Sequence, residues 1–116
     1  SGLMLALKSG VMAADVAHEA FADGDLSAGR FTEYGETLRE GIENMRKLCY
    51  AFYNENFSFG KLVQKYPDIA GDVTDCLSGD VNKDFSRMFK CIEDFCPVPD
   101  SLPLGEPLPV HKPAVN

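Results

Sequence analysis

The chain opens on a segment whose apolar positions follow more than one face. Leu3, Leu7, Val11 and Ala14 make one row at helical spacing, and the small residues Gly2, Ala6, Ser9, Gly10, Ala13 and Ala17 make a second. Alanine is frequent, no proline intervenes, and Asp23-Gly24-Asp25 supplies a stop, so the pattern predicts one helix over residues 2 to about 22. Its first two turns are apolar nearly all round, the mark of a helix covered on several sides. The small-residue row is where another backbone can approach closely. Beyond Lys8, charge enters only at Asp15 and Glu19, on either side of His18.

The clearest 3.6-residue periodicity comes next. Phe31, Tyr34, Leu38, Ile42, Met45, Leu48, Cys49 and Phe52 share one side of a helix predicted from about Ser27 to Tyr53, with Asp25 or Ser27 as its cap. Glu33, Glu36, Arg39, Glu40, Glu43 and Lys47 make the opposite, solvated face. Gly35 and Gly41 each weaken this helix by about 1 kcal/mol relative to alanine, or else mark a tight crossing or a bend. Asn54-Glu55-Asn56 breaks the pattern. Ser58 reads as the N-cap of a short helix from Phe59 to Lys65, closed by Tyr66-Pro67. A second short helix is predicted from about Ile69 to Leu77, then a turn at Ser78-Gly79-Asp80. The last helix is predicted from about Asn82 to Phe95, with Phe85, Met88, Phe89, Ile92 and Phe95 as its core row.

Every proline except Pro67 lies at or beyond Pro97. That density forbids helix and predicts an extended arm over 97–116, following a helical region over 1–96. Leu102, Leu104, Leu108 and Val110 can dock the arm on the body. As a free PxxP-type segment it would instead suit a partner's aromatic groove. The fold class is therefore all-α: an irregular bundle of three main helices plus short helices, with a Pro-rich C-terminal arm.

Composition narrows the function classes. At 116 residues the chain has one domain's length, enough to bury roughly 65% of its unfolded surface. A net charge of −7 repels phosphate backbones and anionic lipid, which argues against nucleic acid or a membrane surface as partner. No apolar run approaches the roughly 20 residues of a membrane span, and Leu3 to Leu7 lacks the preceding basic residues of a signal peptide. Cys49, Cys76, Cys91 and Cys96 form no C-x-x-C pair, and His18 and His111 lie far from them, so no zinc pattern emerges. Cys49 and Cys96 fall on apolar stripes, which reads as reduced core thiols in a cytoplasmic protein. Cys91 and Cys96 are five apart on one predicted helix and point to different sides, unsuited to a disulfide.

Candidate chemistry is sparse. The carboxylates crowd the solvated face of the second helix, and no pair among them is singled out for split pKa values. His18 as a general base would need an orienting partner, and Asp15 three residues back can serve; the plainer reading is a surface histidine. Glycine-rich phosphate signatures are absent, and Ser9-Gly10 follows no strand, so it is not a nucleophile elbow. Ser1-Gly2 is the exception. It leads straight into an apolar helix, whose first turn offers free N–H groups and a positive dipole end that attracts an anion. Gly2 lets a flat ligand approach the backbone.

Ser1-Gly2-Leu3-Met4-Leu5-Ala6-Leu7-Lys8-Ser9-Gly10, followed by Ala13-Ala14-Asp15, resembles one segment of the FAD-dependent oxidoreductases, above all the flavin-dependent halogenases of the tryptophan-halogenase-like group. Geranylgeranyl-reductase-like flavoproteins share the layout more distantly. The turn Gly24-Asp25-Leu26-Ser27-Ala28 and the long helix with Tyr34 continue the likeness. So do Met45-Arg46-Lys47-Leu48, Ala51-Phe52-Tyr53, Asn56-Phe57-Ser58-Phe59-Gly60 and Asp75-Cys76-Leu77, to about residue 95. In these families an S-G or T-G pair ends a flavin-contacting loop, and the following helix points its N-terminus at the isoalloxazine, where it favours negative charge on reduced flavin. In the halogenases the same pair lines the halide site. The resemblance thus implies Ser1, Gly2 and Leu3 as cofactor-binding residues. The dinucleotide-binding glycines, the ribose carboxylate and the family's catalytic lysine lie upstream of the matching segment, and Lys8 does not match that lysine.

Two readings follow. In the first, the chain is the C-terminal portion of an FAD-dependent oxidoreductase or halogenase-like monooxygenase. It supplies one wall of the flavin site and the helical substrate-side cap, and it is inactive and flavin-free by itself. Its partner is then an N-terminal FAD domain. In the second, it is a self-standing helical interaction module that forms a homo-oligomer through its first helix.

Overall fold

A computed structural model describes residues 2–100 and Leu102. The regular elements among them are all helical, as the pattern predicts. Two long helices, α1 (Gly2–Asp23) and α2 (Thr32–Phe52), precede three short ones, α3 (Phe59–Lys65), α4 (Ala70–Leu77) and α5 (Ser86–Ile92). Single 3-10 turns, Ala28–Phe31 and Pro67–Ile69, lead into α2 and α4.

Side chains in the connecting turns set the helix boundaries. Helix α1 ends where Gly24 takes φ +71°. Asp25 N–H then bonds Ala20 C=O at 3.0 Å, which satisfies a carbonyl the helix leaves open. The same device ends α4, with Gly79 at φ +88° and Asp80 N–H on Asp75 C=O at 3.0 Å. Ser58 caps α3 by accepting from Lys61 N–H at 3.5 Å, and the helix keeps its predicted bounds.

Two boundaries depart from expectation. Helix α2 starts at Thr32 rather than near Ser27, because Asp25 Oδ1 accepts Ser27 N–H at 3.0 Å and the next four residues wind as a 3-10 turn. The last helix is only Ser86–Ile92, not Asn82 to Phe95. Asp80 accepts the N–H of Asn82 at 3.0 Å, and Asp84 that of Ser86 at 2.9 Å. These Asx turns hold the chain out of helix until Ser86. Beyond Ile92 the turns tighten, with Phe95 N–H on Ile92 C=O at 2.9 Å.

The core lies among α2 to α5. Leu48, Leu62, Ile69, Phe85, Met88 and Ile92 are at most 2% exposed and form its centre. The buried stripe of α2 is Gly41, Leu48 and Ala51, with Met45 half-buried beside it. Ile42, Cys49 and Phe52 sit at its edge and are exposed. Cys49 is thus not the core thiol its periodicity suggests; one residue past Leu48, it is turned about 100° off the stripe. Cys76, Cys91 and Cys96 are buried, and all four thiols are free. Phe57, buried between α2 and α3, meets Phe59 edge-on at 5.0 Å, and Phe59 stacks on Phe52 at 5.7 Å. Ion pairs pin the short helices: Lys83 bridges Asp72 and Asp75 of α4 at 2.8 and 2.6 Å, and Arg87 meets Asp68 at 2.6 Å.

Helix α1 is attached along one side. Its inner row, Leu5, Met12, Val16 and Ala20, is half-buried or buried. The turn after α4 wedges between the two long helices. Gly79 lies under Met4 and Leu5, and Val81 presses so closely on Gly41 that an added Cβ there would stand 2.6 Å from the Val81 Cα. Gly41 therefore marks a close approach, whereas a Cβ on Gly35 meets nothing. Lys8 pairs with Asp80 at 3.7 Å, and Arg30 pairs with Asp23 and Glu19. The expectation that α1 is covered on several sides holds for one side only: Leu3, Leu7, Val11 and Phe21 are 77%, 58%, 62% and 73% exposed. The molecule is accordingly elongated, with a radius of gyration of 17.0 Å against about 13 Å for a compact 100-residue domain. Leu102 is buried, and its carbonyl accepts from Arg46 at 3.5 Å, so the arm docks at that point. The remaining docking candidates, Leu104, Leu108 and Val110, lie outside the described residues.

Candidate functional site

The N-terminal end of α1 is where the sequence places a flavin contact. Gly2 and Leu3 form the first turn, and Ser1 lies outside the described residues. Nothing stands within 4 Å of a Cβ built on Gly2, and Leu3 projects into solvent. Among the described residues no acidic side chain occupies the first turn, so none of them offsets its positive dipole end. An open backbone, an apolar neighbour and a positive end suit one edge of a flat, electron-accepting ring.

The other sequence candidates separate. Lys8 faces Asp80 across the turn after α4, away from Gly2 and Leu3. His18 and Asp15 are both exposed on α1, and among the described residues no hydrogen bond joins them. No group of three His, Cys, Asp or Glu side chains among the described residues is placed to hold a metal ion. No helix among them is long and apolar enough to cross a membrane. Burial, helped by the nearby Cys49, pushes the Cys76 thiol up to about 12, which removes it as a nucleophile.

Two grooves flank α2. One of about 620 Å³ opens between α1 and α2, with Asp15, Glu19, Arg30, Glu33 and Tyr34 on its walls. Tyr34, part of the family likeness, thus faces α1 and not the core. The other, of about 500 Å³, runs between α2 and α5; Glu36, Glu40 and Glu43 line it together with Asp84, Glu93 and Asp100, and Arg39 and Lys47 stand among them. Glu43 accepts from Arg46 at 2.6 Å through one oxygen, while its second oxygen is buried without a partner among the described residues. The sequence marked the acids of α2 as a solvated face. Nothing in it shows that the segments flanking α5 return acids to the same place.

A sequence relative adds to this geometry. The chain is 35% identical over 81 residues, 70% of its own length, to the 1H-pyrrole-2-carbonyl-[peptidyl-carrier protein] chlorinase of Pseudomonas fluorescens. It spans about 18% of that protein's length. No family model matches the chain, and no solved structure does.

Proposed function

We propose that the chain is a segment of a halogenase-like flavoenzyme, forming one edge of the flavin site and a helical cap beside it. The identity to a chlorinase over 70% of the chain carries this reading. The open first turn of α1, with no acidic side chain on it, supports it, because Gly2 and Leu3 would lie against the ring and the N–H groups would stabilise negative charge on it. FAD, when bound to the complete enzyme, supplies the redox chemistry with oxygen that leads to halogenation or hydroxylation of an organic substrate. This chain's own share is to shape and dry one side of the ring. The missing shares, a dinucleotide-binding fold and a catalytic lysine, would come from the rest of the enzyme.

The reading frame that encodes Ser1 tests this directly. Upstream of it, in frame, a strand–turn–helix with G-x-G-x-x-G is expected, and its full product should carry a flavin spectrum. That product should chlorinate a carrier-protein-bound pyrrole-2-carbonyl group or a related acyl thioester in the presence of chloride, reductant and oxygen. An in-frame stop codon just upstream, or a full-length product that binds no flavin, overturns the proposal.

A further inference from the structure

We draw no further inference here: the strongest candidate, the acid-lined groove between α2 and α5, carries nothing, because Arg39 and Lys47 stand among its carboxylates and nothing among the described residues shows what would occupy it.

Discussion

Helix α1 and the body from α2 to α5 solve the same problem in opposite ways. The body has a strongly two-sided main helix and buries its apolar stripe under three short helices. Helix α1 has an apolar residue at nearly every position of its first two turns, yet only Ala20 is buried. Apolar content says that a segment is sticky; only its periodicity says where it sticks. Helix α1 gives the row of Leu5, Met12, Val16 and Ala20 to its own chain, and among the described residues nothing covers Leu3, Leu7, Val11 and Phe21.

Truncation at the two sites should show the contrast at its largest. Phe85 is 2% exposed at the centre of the body, and Phe85→Ala should cost about 3–5 kcal/mol in urea unfolding. That is a large share of a typical total of about 5–15 kcal/mol. Phe21 is 73% exposed, and Phe21→Ala should change the monomer's stability by no more than about 0.5 kcal/mol. Both variants are read in the same urea titration. A large loss for Phe21→Ala would mean that α1 folds back on the body and that the comparison fails.

The two glycines of α2 sharpen the point within one helix. Gly35→Ala meets open space and should stabilise by about 0.5–1 kcal/mol. Gly41→Ala drives its methyl into Val81, in the turn after α4 that wedges between the two long helices, and should destabilise by about 1–3 kcal/mol. Thermal unfolding of both variants decides. Equal gains would show that Val81 and its turn yield freely, and that the wedge between α1 and α2 is soft.

Much of this fold is local and so can be read in order along the chain. The Ser58 cap, the glycine stops at Gly24 and Gly79 and the apolar row of α2 each depend on neighbours within one or two turns. The misplaced boundaries also have a local cause, competition from Asp25, Asp80 and Asp84 for backbone N–H groups. Their side chains offer both a helix cap and an Asx turn, and periodicity cannot choose between the two. The reason for Gly41 is not local, since Val81 is 40 residues away. The candidate site shows the same limit. Gly2 and Leu3 came from a family likeness, and their open geometry came from the structure. The meeting of the α2 acids with Asp84, Glu93 and Asp100, which flank α5, had no signal, because charge on a helix face does not say what faces it.

The smallest effect concerns how the elements are tied by charge. Asp94, just past α5, holds Lys65 at 2.8 Å and accepts a hydrogen bond from the Tyr66 hydroxyl, joining α3 to the end of α5. Lys65 and then Tyr66 hold the Asp94 carboxyl below its usual value, while Asp94 holds both the Lys65 ammonium and the Tyr66 phenol above theirs. A depressed carboxyl gives stability that is complete above its unfolded value of about 3.9 and is lost as pH falls through the folded one. The raised Lys65 and Tyr66 give stability that is complete below about 10 and is lost as pH rises through their folded values. All three groups are solvated, so the effect is small and weakens with salt. Asp94→Asn should therefore lower Tm on the plateau between these limits, and the gap to the unsubstituted chain should close below about pH 3. A gap that persists unchanged into acid would show that the introduced amide fails to pack, and that the tie between α3 and α5 is one of shape and not of charge.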